Sequence, residues 1–255
     1  MSVTILNIDK KLYKVKECVK ERPGEFAKLK DKLDISWIYH DNMLEGIVLQ
    51  HEEIITALED PSPLADASQL ALYQGIRNHQ KAINIIWKEA ENERLRITLD
   101  FIKNLHSLLY AARPDVVGGR YRNDIPLHRA YFHDIYPPQR ISYYMGKLVQ
   151  SFSQRKIKAL HPIHAAAKLH YQFMYIYPFS EGSGKIARLL MNLILMHNGY
   201  MPVIIHAVDR QKYYTALKGS EDDLVKLLLM ALDNSLDNAL KFMENIPPSK
   251  ANASR

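Results

Sequence analysis

Residues 177–188, with the sequence YPFSEGSGKIAR, hold the densest set of groups that could do chemistry in this chain. Gly182 and Gly184 permit unusual backbone dihedrals and a close approach of the backbone to a ligand. The apolar run that follows predicts a helix whose first N–H groups and dipole attract negative charge. Lys185 and Arg188 add two cations, and a guanidinium can hold two phosphate oxygens at once. These residue types predict an anion-binding loop between two helices.

Glu181, in the same loop, offers a carboxylate that could hold Mg²⁺ together with phosphate oxygens. The alternative interpretation of the loop is an ordinary helix–turn–helix with glycines for tight packing. A nucleotide-binding P-loop also ends in Gly-Lys, but it needs a Ser or Thr after the lysine and a strand before the loop. Ile186 stands at the Ser/Thr position and no strand pattern precedes the loop, which argues against a P-loop.

The loop resembles the H-P-F-x-[D/E]-G-N-G-R-x-x-R motif of the Fic (Fido) family. The matching residues are Pro178, Phe179, Glu181, Gly182, Gly184 and Arg188. The flanks are similar to the family too, at the HP pair from His161, the HYQF run from His170 and the NGY run from Asn198. This resemblance covers roughly the whole chain. It implies an all-α fold, with a small β-hairpin flap and an N-terminal helical segment.

The resemblance also implies a division of the chain. Residues 1–90 are expected to form the N-terminal helical segment, with an inhibitory-type helix at about 35–47. Residues 91–245 are expected to form the Fido core domain. Residues 246–255 are expected to be a disordered tail.

Three departures from the motif fall on its chemistry. Tyr177 stands where the family has its catalytic His, Ser183 stands where it has Asn, and Lys185 stands where it has the first Arg. In the family, the His is the general base that activates a hydroxyl of a target protein. That hydroxyl attacks a nucleotide phosphate, usually the α-phosphate of ATP, and AMP is transferred. The resemblance therefore implies ATP and Mg²⁺ as the ligands of the loop.

These departures predict a site that is degraded or repurposed. A phenol with its ordinary pKa near 10 is ionised in only about one molecule in a thousand at pH 7. Lys185 is a point charge without a guanidinium fork, and the Ser183 hydroxyl offers one donor where an amide offers two. The preferred hypothesis is a catalytically impaired pseudo-Fic protein that binds a nucleotide or a partner. The alternatives are an active transferase with altered chemistry and a pure interaction scaffold that uses the flap.

The stretch 35–47 has helical apolar spacing and resembles the family's inhibitory helix, [S/T]-x-x-x-E-[G/N]. Glu45 and Gly46 fit that pattern, and Asp41 stands where Ser or Thr is expected. In the family, the inhibitory Glu pairs with the second Arg of the loop, which is Arg188 here. A carboxylate can compete with phosphate for one guanidinium. Loss of Glu45 is therefore expected to free Arg188 and to raise nucleotide affinity.

Two further segments are assigned through the resemblance. The most strand-like stretch, residues 118–127, matches the segment that leads into the flap, which docks target proteins by strand pairing. The docking residues are expected to be Asp124, Ile125, Pro126 and Leu127. The stretch DRQKYYTAL from 209 resembles a helix that places a tyrosine near adenine, and either Tyr213 or Tyr214 fills that position.

Periodicity and breaker residues predict the helices that position the loop. They are expected at residues 26–33, 35–47, 51–59, 68–96, 97–112, 140–154, 161–174 and 224–243. Residues 1–25 are expected to form a loose arm. Ser220 and Asp223 resemble a capping box at the start of the last helix.

Composition narrows the function classes further. The net charge is +6, but acids are interspersed among the cations, which indicates solvated helix faces rather than a nucleic-acid surface. The apolar runs are far shorter than a membrane span. A single cysteine, Cys18, excludes an internal disulfide and favours a cytoplasmic location. A protein partner at the flap and a homodimer are the expected associations, because family members often dimerise.

Overall fold

Helices dominate the described residues, 3–60, 66–126, 134–153, 157 and 159–245, of a computed structural model. The described residues give ten α-helices with defined bounds: α1 Ile5–Glu21, α2 Pro23–Leu44, α3 His51–Glu59, α4 Ala67–Ala90, α5 Leu99–Leu109, α6 Ile141–Ser153, α7 Pro162–Ile176, α8 Ser183–His197, α9 Arg210–Lys218 and α10 Glu221–Glu244. The described residues contain no strand. The predicted all-α class is confirmed.

Helix α8 lies at the centre of the molecule. Every residue from 183 to 196 is buried, because α7, α4 and α5 all pack against this helix. A helix that is apolar on nearly all sides is stable only inside a core. The loop that precedes α8 is therefore built on the most enclosed element of the fold.

Helix α7 has a well-defined start and end. Pro162 occupies its first turn, where a missing N–H costs nothing, and His161 caps it by accepting the N–H of Ile163 at Nδ1 (3.3 Å). The helix ends at Ile176, and Tyr177 adopts a left-handed conformation with φ of 45°. The left-handed residue turns the chain out of α7 and into the loop.

Helix α2 is continuous, although the sequence predicted separate helices at 26–33 and 35–47. Its middle is held to α4 by Asp34, which is buried and accepts hydrogen bonds from Trp87 Nε1 (2.8 Å) and Gln80 Nε2 (3.0 Å). The helix ends at Leu44. Gly46 follows with φ of 85°, so the helix stops three residues before the predicted end at residue 47.

The prediction of a loose arm at residues 1–25 was wrong, since these residues include α1. Ile8, Leu12 and Val15 are buried at helical spacing, and α1 packs along α10. Lys11 also forms ion pairs with Asp233 (2.6 Å) and Asp237 (2.7 Å) of α10. The charged residues between the apolar ones lie on the solvent side of an amphipathic helix.

The remaining helix predictions agree with the structure to within a few residues, except that α4 ends at Ala90. The capping box of Ser220 and Asp223 is present at the start of α10. Residues 118–126 form turns and irregular structure without a strand, and Leu127 and residues 246–255 lie outside the described residues. Among the described helices, none is long and apolar enough to cross a membrane.

Candidate functional site

The first half of the loop, residues 177–181, is held through its backbone by Arg122. This buried guanidinium donates from Nε to the carbonyl of Tyr177 (2.6 Å) and from Nη2 to the carbonyls of Ile176 (3.3 Å) and Tyr136. The backbone N–H of Arg122 donates to the carbonyl of Pro178 (2.9 Å). The last carbonyls of a helix have no partner within it, so Arg122 supplies partners at the end of α7.

His106, on α5, holds the other end of this half. Its Nδ1 accepts the N–H of Gly119 (2.9 Å), which leaves the proton on Nε2 to donate to the carbonyl of Glu181 (3.1 Å). The ring stacks on Phe179 with centroids 3.9 Å apart. Burial lowers the pKa of His106 to about 4, so the ring is neutral and its tautomer is set by its two partners.

Ser183 closes the loop internally. Its Oγ accepts the N–H of Phe179 (2.9 Å) and donates to the carbonyl of the same residue (2.9 Å), and the side chain is fully buried. Gly182 precedes it with φ of 71° and forms the N-cap of α8 without a side-chain acceptor. A Cβ at Gly182 would overlap the ring of Tyr110. Only glycine satisfies both the backbone angle and this close contact.

Arg188, on α8, lies between two carboxylates of α2. Its Nε contacts Asp41 Oδ1 and its Nη2 contacts Glu45 Oε1 (2.8 Å). Its Nη1 donates to the hydroxyl of Tyr213 (3.3 Å). Burial opposes the charge, but Asp41, Tyr213 and Glu45 together raise the pKa of Arg188 well above its ordinary value. The predicted pairing of Glu45 with Arg188 is therefore present, together with a second carboxylate.

Lys185 is also held by α2. Its Nζ donates to Asn42 Oδ1 (2.6 Å), and the side chain is buried. Asn42 Nδ2 donates to the carbonyl of Ile38 (2.7 Å) and lies 3.5 Å from His79 Nδ1. Burial lowers the pKa of Lys185 from its ordinary value, although nearby carboxylates oppose this shift. Both cations of the loop thus have partners on a single helix outside the core domain predicted from the sequence.

His79 of α4 connects these contacts. Its Nε2 lies 3.2 Å from Asp41 Oδ2, and both side chains are buried. Burial disfavours the charged form of Asp41, but Arg188 and His79 outweigh it and lower the pKa of this carboxyl. Burial lowers the pKa of His79 as well, so its ring is neutral. The two carboxylates Asp41 and Glu45 therefore balance the two cations Lys185 and Arg188 without any external anion.

A cavity of about 660 Å³ opens beside this cluster. It is lined by residues of the loop, of α2 and of α9, among them Tyr177, Gly182, Lys185, Glu45 and Arg210. Its volume lies in the range typical of small-molecule sites. A Cβ at Gly184 would overlap Glu45 Oε1 and crowd Arg188, so a glycine at this position allows α2 to approach the first turn of α8.

The two candidate tyrosines differ in their access to the cavity. Tyr213 is fully buried, and its hydroxyl lies 3.2 Å from His170 Nε2 as well as contacting Arg188. Tyr214 lines the cavity and donates its hydroxyl to the carbonyl of Leu44 (3.2 Å), which also accepts from Arg210 Nε (3.0 Å). The end of α2, next to Gly46, is therefore fastened to α9.

The remaining predicted residues are more dispersed. The side chain of Glu181 is exposed at the rim of the cavity. Asp124 contributes a backbone carbonyl to Arg122, while Ile125 is half exposed and Pro126 is partly buried. In the described part of the chain, no group of three or more His, Cys, Asp or Glu side chains could hold a metal ion.

Sequence reasoning did not identify His106, Asn42 or His79 as parts of the site. A histidine within an apolar helical pattern is the available signal for His106 and His79, and that pattern does not separate a surface or core residue from a member of a site. Their roles depend on contacts with residues 75, 143 and 37 positions away in the chain, which no local pattern reports.

Comparison with known proteins places this site in context. The profile described as the Fic/DOC family matches residues 96–195. A protein adenylyltransferase Fic from Nematostella vectensis is 30% identical over 182 residues, covering 71% of this chain and 42% of that protein. A protein adenylyltransferase Fic from Drosophila erecta is 27% identical over 235 residues, covering 90% of this chain and 46% of that protein. The chain thus spans less than half the length of these curated relatives.

Solved structures share the whole architecture. A Fic domain containing signaling protein from Bacteroides thetaiotaomicron superposes with a TM-score of 0.83 at 25% identity, covering 96% of this chain and 99% of that one. A fragment of Fic-1 from C. elegans superposes with a TM-score of 0.74 at 22% identity, covering 93% of this chain and 73% of that fragment. These likenesses show the fold. The match of the Fic/DOC profile to residues 96–195, together with the loop sequence inside it, shows that the chain belongs to the Fic/DOC family.

Proposed function

We propose that this protein binds a nucleotide, with ATP as the preferred ligand class, but transfers AMP poorly or not at all. The observation that carries the proposal is the position of Tyr177. It is buried at the left-handed turn of the loop and lines the same cavity as Gly182 and Lys185. The anion-binding frame is therefore kept, while the family's general base is replaced by a phenol. The relatives named protein adenylyltransferase make ATP the first ligand to test.

Several features of the cavity support nucleotide binding. Gly182 leaves the first N–H groups of α8 without a side-chain cap, and a helix N-terminus favours phosphate. Ser183 and Gly184 take part through their backbone N–H groups, and Lys185 supplies the nearest charge. Tyr214, which lines the cavity, is the better candidate to lie beside the base than the enclosed Tyr213.

Mg²⁺ fits this site only in part. Glu181 places one exposed carboxylate at the rim of the cavity, and the described residues form no larger cluster of acidic or imidazole ligands. Magnesium in nucleotide sites is commonly held by one or two carboxylates together with substrate phosphates. Glu181 is therefore expected to contribute to a magnesium ion that arrives with the nucleotide, and the ion would offset phosphate charge there.

The loop residues also explain why transfer is expected to be weak. A phenol at its ordinary pKa accepts a proton poorly at neutral pH, since only about one in a thousand is ionised. Lys185 places one charge where a guanidinium could make two parallel hydrogen bonds to phosphate. A third obstacle is the inhibitory role proposed for α2. Its carboxylates already neutralise the loop cations, so a polyphosphate competes with them for these cations.

Calorimetric titration with ATP, with and without Mg²⁺, tests the binding proposal. The native chain is expected to bind, and Lys185→Met is expected to weaken the affinity about tenfold because one phosphate cation is lost. Lys212→Met is the matched control, since Lys212 is 65% exposed on α9 and lies outside the cavity lining. Absence of binding by the native chain, or equal affinity of the Lys185 variant, would contradict a nucleotide site here.

A labelling assay with ATP carrying a labelled α-phosphate tests the proposed impairment. Neither the native chain nor Tyr177→His is expected to become labelled strongly, because the phosphate contacts remain weakened at Lys185. Tyr177→His/Lys185→Arg is the matched comparison, since it restores both the imidazole and the fork. Robust self-labelling by the native chain or by Tyr177→His alone would show that the site is catalytically competent.

A further inference from the structure

The two carboxylates that contact Arg188 differ in depth and in position. Asp41 is 2% exposed and has His79 on its far side, with Nε2 3.2 Å from Oδ2. Glu45 is 13% exposed and lies at the C-cap of α2, directly before the left-handed Gly46. Asp41 is thus enclosed on both sides, whereas Glu45 lies one residue beyond the end of α2 and is more exposed.

The surroundings of Asp41 reinforce this difference. His79 belongs to α4, and its Nδ1 lies 3.5 Å from Asn42 Nδ2 on the next residue of α2. Asn42 Oδ1 in turn accepts a hydrogen bond from the ammonium group of Lys185 (2.6 Å). Asp41 is therefore one member of a buried polar network that spans α2, α4 and α8. Removing one charged member of such a network leaves its partner buried and uncompensated.

We propose that Asp41, rather than Glu45, is the carboxylate that retains Arg188, so that the anion site stays closed when Glu45 alone is removed. The inference rests on the proposed function, because it concerns regulation of the same site. It also changes the expectation drawn from the sequence. A single inhibitory Glu would release Arg188 when removed, but here the guanidinium keeps a second carboxylate on its Nε.

The competing ligand is the terminal phosphate of a nucleoside triphosphate. To reach Arg188, that phosphate must replace a carboxylate that is desolvated and held by a second helix. A nucleoside diphosphate lacks this group and is expected to bind without meeting Asp41. The difference between ATP and ADP affinity therefore reports whether Arg188 is available.

The first experiment needs no nucleotide. In the ¹⁵N spectrum of the full chain, the Nε–H resonance of Arg188 is identified by its loss in Arg188→Lys. A hydrogen bond from Nε to a buried carboxylate slows the exchange of this proton with water. We expect slow exchange in the native chain and in Glu45→Gly, and at least about tenfold faster exchange in Asp41→Ser. Asp41→Leu, which keeps the volume and has no acceptor, serves where the Ser variant folds poorly, and faster exchange is expected there too.

The second experiment compares ATP with ADP by calorimetry in the presence of Mg²⁺. For the native chain and Glu45→Gly, the two affinities are expected to agree within about twofold, because Arg188 stays occupied. For Asp41→Ser/Glu45→Gly, ATP is expected to bind at least about tenfold more tightly than ADP.

The outcomes separate this inference from the proposed function. Fast Nε–H exchange and a clear ATP preference in Glu45→Gly alone would overturn the role of Asp41 while leaving nucleotide binding intact. Unchanged Nε–H exchange in both Asp41 variants would overturn it as well. Retention of the slow signal in Glu45→Gly and its loss in the Asp41 variants would support the inference, even if no variant bound a nucleotide and the proposed function failed.

Discussion

The loop falls into halves that are held in different ways. Residues 177–181 are fixed mainly through their backbone, by Arg122 at one end and His106 at the other. Residues 182–188 are fixed through their charged side chains, by Asp41, Asn42 and Glu45 of α2. The partners of the first half come from the predicted core domain, whereas the carboxylates and the amide that bind the cations of the second half come from the N-terminal segment.

This difference separates the half of the loop that sets its conformation from the half whose partners a ligand would replace. The carbonyls of the first half have partners that any ligand would leave undisturbed, so this half is expected to keep its conformation when the site fills. The cations of the second half contact internal carboxylates and an amide, which are the groups that a phosphate would replace. Replacing residues in the first half should therefore change stability, and replacing residues in the second half should change both stability and binding.

The largest effect is expected from Arg122→Ala. The change removes hydrogen bonds to the carbonyls of Tyr177, Ile176 and Tyr136, and the first two of these carbonyls are buried at the end of α7. Bonds from a charged donor contribute more than neutral ones, so the loss is expected to be about 4 kcal/mol of the free energy of unfolding. Urea unfolding followed by circular dichroism measures it.

Arg113→Ala is the control for that measurement. Arg113 is 45% exposed and pairs with Asp115 on the surface, so its removal is expected to cost less than about 1 kcal/mol. Equal losses in the two variants would show that Arg122 is no more important to the fold than a surface arginine. The view that the first half is a rigid frame would then fail.

The next effect is the pH dependence of stability due to His106. Its pKa is about 4 in the folded chain and near its ordinary 6.5 when unfolded. Below pH 6.5 the unfolded chain therefore binds a proton that the folded chain does not, and stability falls as the pH falls toward 4. The expected loss from this residue is about 3 kcal/mol over that window. Thermal unfolding between pH 7 and pH 4 measures it.

His106→Gln is expected to flatten this pH dependence, because the titrating group is gone. His51→Gln, at an exposed position at the start of α3, is the control for the substitution itself. Burial also lowers the pKa of His40 to about 4, so part of the slope is expected to persist in the His106 variant. An identical slope in the native chain and His106→Gln would refute the assignment of a neutral, buried His106.

The sequence predicted most of the helix bounds and the position of the loop, but few of the contacts between helices. The loop, the start of α7 at Pro162 and the end of α2 near Gly46 followed from local rules for glycine, proline and apolar spacing. Helix α1 was missed because its charged residues were given more weight than the spacing of its three buried ones. Periodicity reports which face of a helix is buried, and it does not report which helix covers that face.

The second carboxylate shows the same limit at the site. Asp41 was noted as a departure from the inhibitory pattern, but its contact with Arg188 spans 147 residues and its contact with His79 joins another helix. A motif could place Glu45 opposite Arg188 because the family provides that pair. Only the packing of α2 against α4 and α8 brings Asp41, Asn42 and His79 to the same place.

A smaller loss of stability is expected from Asn42→Ala in the second half. Asn42 accepts the ammonium of Lys185, and its removal leaves that cation buried with one partner fewer. The expected cost is about 2 kcal/mol, together with tighter ATP binding because Lys185 is released. Urea unfolding and calorimetry measure the two effects. Asn84→Ala, at an exposed position of α4, is the control and should change neither. Lower stability without any gain in affinity would limit Asn42 to a structural role.

The smallest effect, and the one that locates the boundary between the halves, is expected from Ser183→Ala. The sequence predicted a phosphate-binding role for this residue, but its hydroxyl is fully buried and bonds only to the backbone of Phe179 among the described residues. Its loss leaves one buried N–H without this acceptor, at a cost of about 1 kcal/mol. ATP affinity should not change, because the backbone N–H of residue 183 remains.

Ser180→Ala, at an exposed position on the cavity rim, is the matched control. The Ser183 variant could instead bind ATP several-fold more weakly while the control did not. The hydroxyl would then belong to the phosphate site. The part of the loop whose side chains exchange their partners for a ligand would then begin at Ser183 rather than at Lys185.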